Sequence, residues 1–183
     1  MPVILHKLSE YQVSPGTEIL ILGTFIPDRS NAPDFFYGRE RNFLWHLLPQ
    51  CWGLDSLKDE PLSRKKEFMS AYNVDFADIV HSMDVPEGDE LNTDDSFYDS
   101  HVSQWNDINT LIDKLPNLKA VYFTKKTFNG VPHMRAQVKN IADYCMQKEI
   151  RFCKLETPSK FYSPEKLQQW IDTIVLKNSC LRV

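Results

Sequence analysis

Glycine is scarce, with 6 in 183 residues, and Gly16, Gly23, Gly38, Gly53, Gly88 and Gly130 are scattered. Neither G-x-G-x-x-G nor a P-loop can be built from them, which excludes the commonest cradles for dinucleotides and nucleoside triphosphates. Cysteine is limited to Cys51, Cys145, Cys153 and Cys180. No C-x-x-C pair and no histidines at ligand spacing accompany them, so zinc and iron–sulfur centres are set aside and reduced, mostly buried thiols are expected. No apolar run approaches the roughly 18 residues of a membrane-spanning helix. The opening MPVILHKLSEYQ is too short in its apolar part, and too lightly flanked by basic residues, for a signal peptide. A cytoplasmic protein is expected. Positive charge is not in excess: 21 Lys and Arg against 25 Asp and Glu give a formal charge of -4. That opposes avid nonspecific binding to nucleic acid, although a local basic patch on an acidic body stays compatible with it. Repeats, low-complexity tracts and linkers are missing too, so the chain reads as one domain, 1–183.

What is present is an alternation of strands and helices. Glu18–Leu22 (EILIL), closed by Gly23, is a short continuous apolar run that suits a strand covered on both faces. Thr24–Arg41 follows as a long loop rich in Pro, Asp, Asn and aromatics. A helix is expected from about Asn42 to Trp52, with Pro49 predicting a kink or early end. A second is expected over Leu62–Tyr72, and Val74–Val80 reads as a strand or a buried loop. Asp84–Asp99 is acidic without Lys or Arg, reads as a solvated loop, and matches no calcium loop. Val102–Leu115 reads as a helix, Leu118–Phe123 as a strand, Pro132–Lys148 as a helix, Ile150–Leu155 as a strand and Pro164–Leu176 as a closing helix. The pattern predicts an α/β fold, a three-layer α/β/α sandwich around a mostly parallel sheet of about four strands. Ligands of such sheets sit at the carboxyl ends of the strands, which singles out Thr24–Arg41, Thr124–Gly130 and Glu156–Ser163.

The first of these loops reads GTFIPDRSNAPDFFYGRERNFLW. Its order of Gly-Thr-Phe-x-Pro, an aromatic pair before Gly, then Arg-Asn-aromatic-x-Trp resembles the first motif of the uracil-DNA glycosylase superfamily. The hypoxanthine-DNA glycosylase branch is nearest, with the mismatch-specific uracil glycosylases next. Asp78-Ile79 followed by Asp94–Asp99 is similar to that branch's middle segment. Leu155-Glu-Thr-Pro-Ser159 is similar to its second motif. The chain departs from the pattern in three places. It has one residue more before Pro27, it carries Asn42-Phe43-Leu44-Trp45 for Asn-Arg-Phe-Trp, and it carries Phe123-Thr124-Lys125 for Phe-Asn-Gly.

The resemblance implies hydrolysis of the bond joining a damaged base to deoxyribose, with water, no metal and no cofactor. Such a reaction passes through a sugar cation while negative charge builds on the departing base. It therefore needs a held water and donors around the base. Asn42 is the candidate to orient the water, or alternatively a helix cap. Asp28 is its rival, or alternatively a turn residue. Backbone N–H groups near Phe25 and Ile26 could receive a base carbonyl, and Thr124 stands where the family has an amide. Phe25, Phe35, Phe36 and Tyr37 offer faces for a flipped base, with Phe36 and Tyr37 matching the motif best; packing of the loop onto the sheet is the other reading. Trp45 is assigned to the core. Thr157 and Ser159 could donate to phosphate or base, Lys160 could neutralise a phosphate, and Phe161 or Tyr162 could fill the gap left by the flipped base. Ser163 and Pro164 fit a helix N-cap and first position. Arg39, Arg41, Lys125, Lys126 and Lys160 would form a basic mouth on these loops.

Two functions remain open. One is a monofunctional base-excision glycosylase acting, as a monomer, on DNA with a damaged or mismatched base. No lysine is placed as a Schiff-base nucleophile, so strand cleavage is not expected. The other is a non-catalytic nucleic-acid or nucleotide binder on the same fold. A different α/β hydrolase lacks support, since neither G-x-S-x-G nor a cysteine–histidine constellation is present.

Overall fold

A computed structural model describes residues 2–89, 92 and 94–176. Its centre is a parallel sheet of β2 (Ile19–Gly23), β3 (Val74–Asp78), β6 (Ala120–Phe123) and β7 (Arg151–Lys154), in the order β3-β2-β6-β7. The apolar run of β2 is continuous, rather than alternating, because both faces of the sheet are covered. Ile21 packs on one side with Phe76 and Tyr122, while Leu20 and Leu22 pack on the other with Val121 and Phe123. Helices α1 (Leu44–Gln50), α2 (Leu62–Tyr72) and α6 (Pro164–Ile174) contribute to the first layer. Helices α4 (Ile108–Asp113) and α5 (Pro132–Gln147) contribute to the second. The expected three-layer α/β/α sandwich is therefore the observed one. Helix α1 is shorter than expected, and Pro49 lies in its last turn. Ser163 accepts from the Lys166 N–H at 3.2 Å and Pro164 opens α6, the cap its sequence predicts.

A second sheet was not legible. β1 (Val3–Leu5), β4 (Val80–Asp84) and β5 (Val102–Trp105) pair antiparallel in the order β1-β4-β5. Val74–Val80 accordingly resolves into β3 and the start of β4, separated by Ile79. The helix expected over 102–115 begins only at Ile108. The strand is selected by its ladder partner β4, with Val80 opposite Trp105, and not by a pattern of its own. Asp107 then caps α4 by accepting from the Thr110 N–H at 2.9 Å. Of the four cysteines, Cys51 and Cys145 are free and buried, and burial pushes both thiols up to about 12. Cys153 is disulfide-bonded, against the expectation of a reduced thiol, and Cys180 lies outside the described residues.

The acidic loop expected over 84–99 ends instead in helix α3 (Asp95–His101), which buries Tyr98 and Asp99. Asp99 has a structural task. Its two oxygens accept from the main-chain N–H groups of His133 at 3.1 Å and Met134 at 2.5 Å, donors that the first turn of α5 leaves unpaired. A carboxylate there also faces the positive end of the helix dipole. Replacing Asp99 by Ala should lower the free energy of unfolding by about 1–2 kcal/mol, as measured by urea denaturation, while Asp95→Ala, which removes a half-exposed pair with Lys125 at the start of α3, should cost less.

Candidate active site at the carboxyl ends of the strands

The first and last of the three loops are joined by main-chain bonds. Phe43 N–H donates to the Pro158 carbonyl at 2.8 Å, Lys160 N–H donates to the Arg41 carbonyl at 3.0 Å, and Asn42 and Ser159 form a bridge pair. Asn42 thus lies in the seam between the two loops. Its Oδ1 accepts from the Leu44 N–H at 3.0 Å, which starts α1, and its Nδ2 reaches Ser159 Oγ at 3.4 Å. The carbonyl keeps one lone pair beyond the Leu44 bond. Buried Lys166 holds the last loop from beneath, donating to the carbonyls of Phe161 at 2.7 Å and Ser159 at 3.3 Å. Burial pushes the Lys166 ammonium down, and Glu156 partly opposes that.

The floor of the site is a row across three strand ends: Asp78, Gly23 and Thr124. Gly23 is opposite Asp78 in register. A Cβ on Gly23 would meet Asp78 Oδ1 at 2.3 Å and the Tyr37 hydroxyl at 2.8 Å, so only glycine fits. Thr124 Oγ1 donates to the Leu22 carbonyl at 3.2 Å, which leaves it to accept from the Tyr37 hydroxyl at 3.1 Å. Tyr37 itself has a left-handed backbone, with φ of 56°.

Behind Asp78 stands a residue that sequence reading missed. His6 Nδ1 accepts from the Leu8 N–H at 3.0 Å, so the ring proton is on Nε2, which donates to Asp78 Oδ2 at 2.7 Å. Both side chains are buried, at 3% and 4% exposure. Asp78 could be noticed in the middle segment, but nothing local marked a lone histidine near the N-terminus as its partner.

The other candidates separate into two groups. Phe25, Ile26 and Phe36 are buried. Phe36 stacks on Phe76 with centroids 5.8 Å apart, and Phe25 meets Tyr98 edge-on at 5.6 Å, so these rings pack the loop to the sheet. Trp45 is buried, as expected, and its Nε1–H donates to the Phe36 carbonyl at 2.9 Å. Phe161 and Tyr162 are 60% and 36% exposed, and Tyr162 meets His46 edge-on at 4.6 Å. Thr157 is half-buried, and its Oγ1 accepts from the Ser159 N–H at 3.4 Å. Asp28 is exposed, and its N–H donates to the Leu5 carbonyl at 2.9 Å. Arg39, Arg41 and Lys160 are exposed, but Lys125 pairs with Asp95 at 2.5 Å and Lys126 with Glu156 at 3.4 Å. The mouth is thus less basic than a count of its cations implies.

The chain is a three-layer α/β/α protein whose candidate site is made by loops at the carboxyl ends of a parallel sheet. That fold has a solved counterpart. The solution NMR structure of a candidate uracil DNA glycosylase from Methanosarcina acetivorans matches it with a TM-score of 0.60. The match covers 87% of this chain and 89% of that one at 19% identity, a likeness that shows the fold. No family model and no curated protein matches the chain.

Tyr37 supplies a test of the floor. Burial, and secondarily the Asp78 charge, push its hydroxyl well above the usual tyrosine value of 10.0. Folding therefore favours the neutral phenol. Its contribution to stability is fully present below pH 10.0 and is lost as pH rises from there toward the folded-state pKa. In an alkaline titration followed by near-ultraviolet phenolate absorbance, Tyr37 should ionise together with unfolding, and Tyr37→Phe should remove one phenolate from that step. A Tyr37 phenolate forming near its ordinary pKa in the folded protein would contradict the arrangement.

Proposed function

We propose that the protein is a monofunctional DNA glycosylase of the uracil-DNA glycosylase superfamily. It removes a deaminated base, uracil or hypoxanthine, from a nucleotide flipped out of DNA. The observation that carries the reading is the seam that brings Asn42 of the first loop against Ser159 of the last, at the same end of the sheet as the Asp78–Gly23–Thr124 row. The fold shared with the Methanosarcina protein supports it.

In this reading the C1′–N bond breaks with its electron pair leaving on the base. A water oxygen then bonds to C1′, and the water's proton passes to the base or to solvent. Asn42, fixed by Leu44 and Ser159, orients that water through its remaining lone pair. Exposed Asp28, the rival, would have to act from outside the seam. Main-chain N–H groups near Phe25 and Ile26 donate to the base, while the hydroxyl oxygens of Tyr37 and Thr124, whose protons are already given, accept from it. Charge building on the base is stabilised by such prearranged donors. The Asp78 carboxylate, held by His6, lies at the strand end where it favours the sugar cation. Arg39, Arg41, Lys125 and Lys160 meet phosphates, Thr157 and Ser159 add hydrogen bonds, and exposed Phe161 or Tyr162 fills the vacated stack. The chain works as one domain and as a monomer, in the cytoplasm, without metal or cofactor.

A second reading, a non-catalytic binder, is favoured by one observation: the Asn42 carbonyl already serves α1 through Leu44. One experiment divides the two. Duplexes carrying uracil, hypoxanthine, xanthine or a G·T mismatch are incubated with protein, treated with alkali and scored for nicking. The glycosylase should nick one of them, and Asn42→Ala should slow it by roughly 100-fold or more with DNA affinity nearly kept. No nicking at stoichiometric protein, with DNA still bound, would leave the binder.

A further inference from the structure

The loop after β6 ends in a turn, Phe128-Asn129-Gly130-Val131, closed by the Val131 N–H, which donates to the Phe128 carbonyl at 3.4 Å. Both ends of the turn are anchored. Phe128 stacks on Phe123 with centroids 5.9 Å apart, and the Lys154 ammonium lies 5.5 Å over its ring. Val131 is buried at the head of α5. The two middle residues are exposed, as the tip of a surface turn commonly is. Gly130 has a φ of 73°, a left-handed backbone that glycine takes without strain, and the space where a Cβ would stand is open. Among the described residues, neither the Asn129 side chain nor the Gly130 N–H has a hydrogen-bond partner.

Asn-Gly occurs once in the sequence. The pair holds an electrophile and a nucleophile that an intramolecular step can join in a five-membered ring. The Gly130 nitrogen loses its proton to water or hydroxide and bonds to Asn129 Cγ. The bond from Cγ to the side-chain nitrogen breaks, and that nitrogen leaves as ammonia. Water then opens the ring. Opening at Cγ gives aspartate; opening at the main-chain carbonyl gives isoaspartate, whose chain runs on through the side-chain carbon. In sum, one amide and one water become one carboxylate and one ammonium, with no oxidant or reductant. Exposed Asn31 and Asn117 differ on two counts. Ala32 and Leu118 follow them with a side chain next to the attacking nitrogen, and those nitrogens already donate to the carbonyls of Arg29 and Leu115.

We propose that Asn129 is a site of self-modification, which converts to aspartate and isoaspartate in the folded protein. Isoaspartate adds a methylene to a main chain anchored at Phe128 and Val131, and so opens the turn. The new carboxylate lies on the loop that carries Lys125 and Lys126. The modification does not rest on the glycosylase reading. It is tested by holding the full-length protein in mildly alkaline buffer, digesting it, and following the Asn129 peptide by mass spectrometry. Isoaspartate is scored by methyl transfer from labelled S-adenosylmethionine with an isoaspartate-specific methyltransferase. The peptide should gain the mass of an acid in place of an amide and split into two isomers, while peptides with Asn31 and Asn117 keep their amides. Asn129→Gln, whose amide needs a larger ring, should abolish the change. Retention of the Asn129 amide over a time in which the same peptide reacts free in solution would overturn the site. Equal conversion at Asn31 and Asn117 would overturn it as well. Opening of the turn is read by hydrogen exchange from Phe128 to Met134, which should quicken in isoaspartate-bearing protein and not in Asn129→Asp, which gains the charge without the extra methylene. Equal exchange in the two proteins would overturn the opening of the turn.

Discussion

A carboxylate taken out of water must be given donors or lose its charge, and Asp78 is taken out of water where the sheet ends. Its partner is His6, and the bond between them organises much of what surrounds the site. To reach Asp78, the N-terminal segment is laced between neighbours: His6 N–H donates to the His81 carbonyl, Lys7 N–H to the Ile26 carbonyl, and Asp28 N–H to the Leu5 carbonyl. The start of the first loop is thereby fastened to the small antiparallel sheet. The other Asp78 oxygen occupies the space over Gly23, which explains why the β2 run must end in glycine rather than another aliphatic residue. Tyr37 completes the packing from above.

The legible parts of the fold were those whose own residues decide their conformation. The EILIL run, the 16-residue helix α5 with Pro132 at its start, and the Ser163-Pro164 opening of α6 carry local signals. The segments that were missed owe their structure to distant partners. β1 is 3 residues long with an exposed Val3 and Leu5, and only its register against β4 makes it a strand. β5 competes with a helical pattern and is settled by β4. α3 looked like a solvated acidic tract because Asp99 finds its use 34 residues later, at the head of α5.

At the candidate site, the loops singled out from the sequence include two that the structure joins by main-chain bonds, but how their side chains pack was not foreseen. An aromatic-rich loop suggested stacking surfaces. Two of its four rings, Phe35 and Phe36, instead join Trp45 of α1 and Phe76 of β3 in one cluster, whose centroid distances run from 5.2 to 6.4 Å. The two candidates for filling a vacated stack, Phe161 and Tyr162, lie in the last loop and are the ones left exposed. The local basic run was likewise real, yet Asp95 and Glu156 face two of its lysines, and neither carboxylate was visible as a neighbour from spacing. Asn42 precedes Phe43, the N-cap of α1, and its amide has enough donors and acceptors to accept from the Leu44 N–H and face Ser159 of the other loop at once.

The seam between the first and last loops has a consequence for the order of assembly. Asn42 and Ser159 are 117 residues apart in the chain. A protein made from its N-terminus exposes the early loop long before its counterpart leaves the ribosome, so that loop must wait without its partner while most of the sheet is laid down. Closing so long a stretch carries an entropic penalty that local turns avoid. The mouth therefore matures late in synthesis, and nascent chains that end before Pro158 would hold most of the sheet but no finished seam.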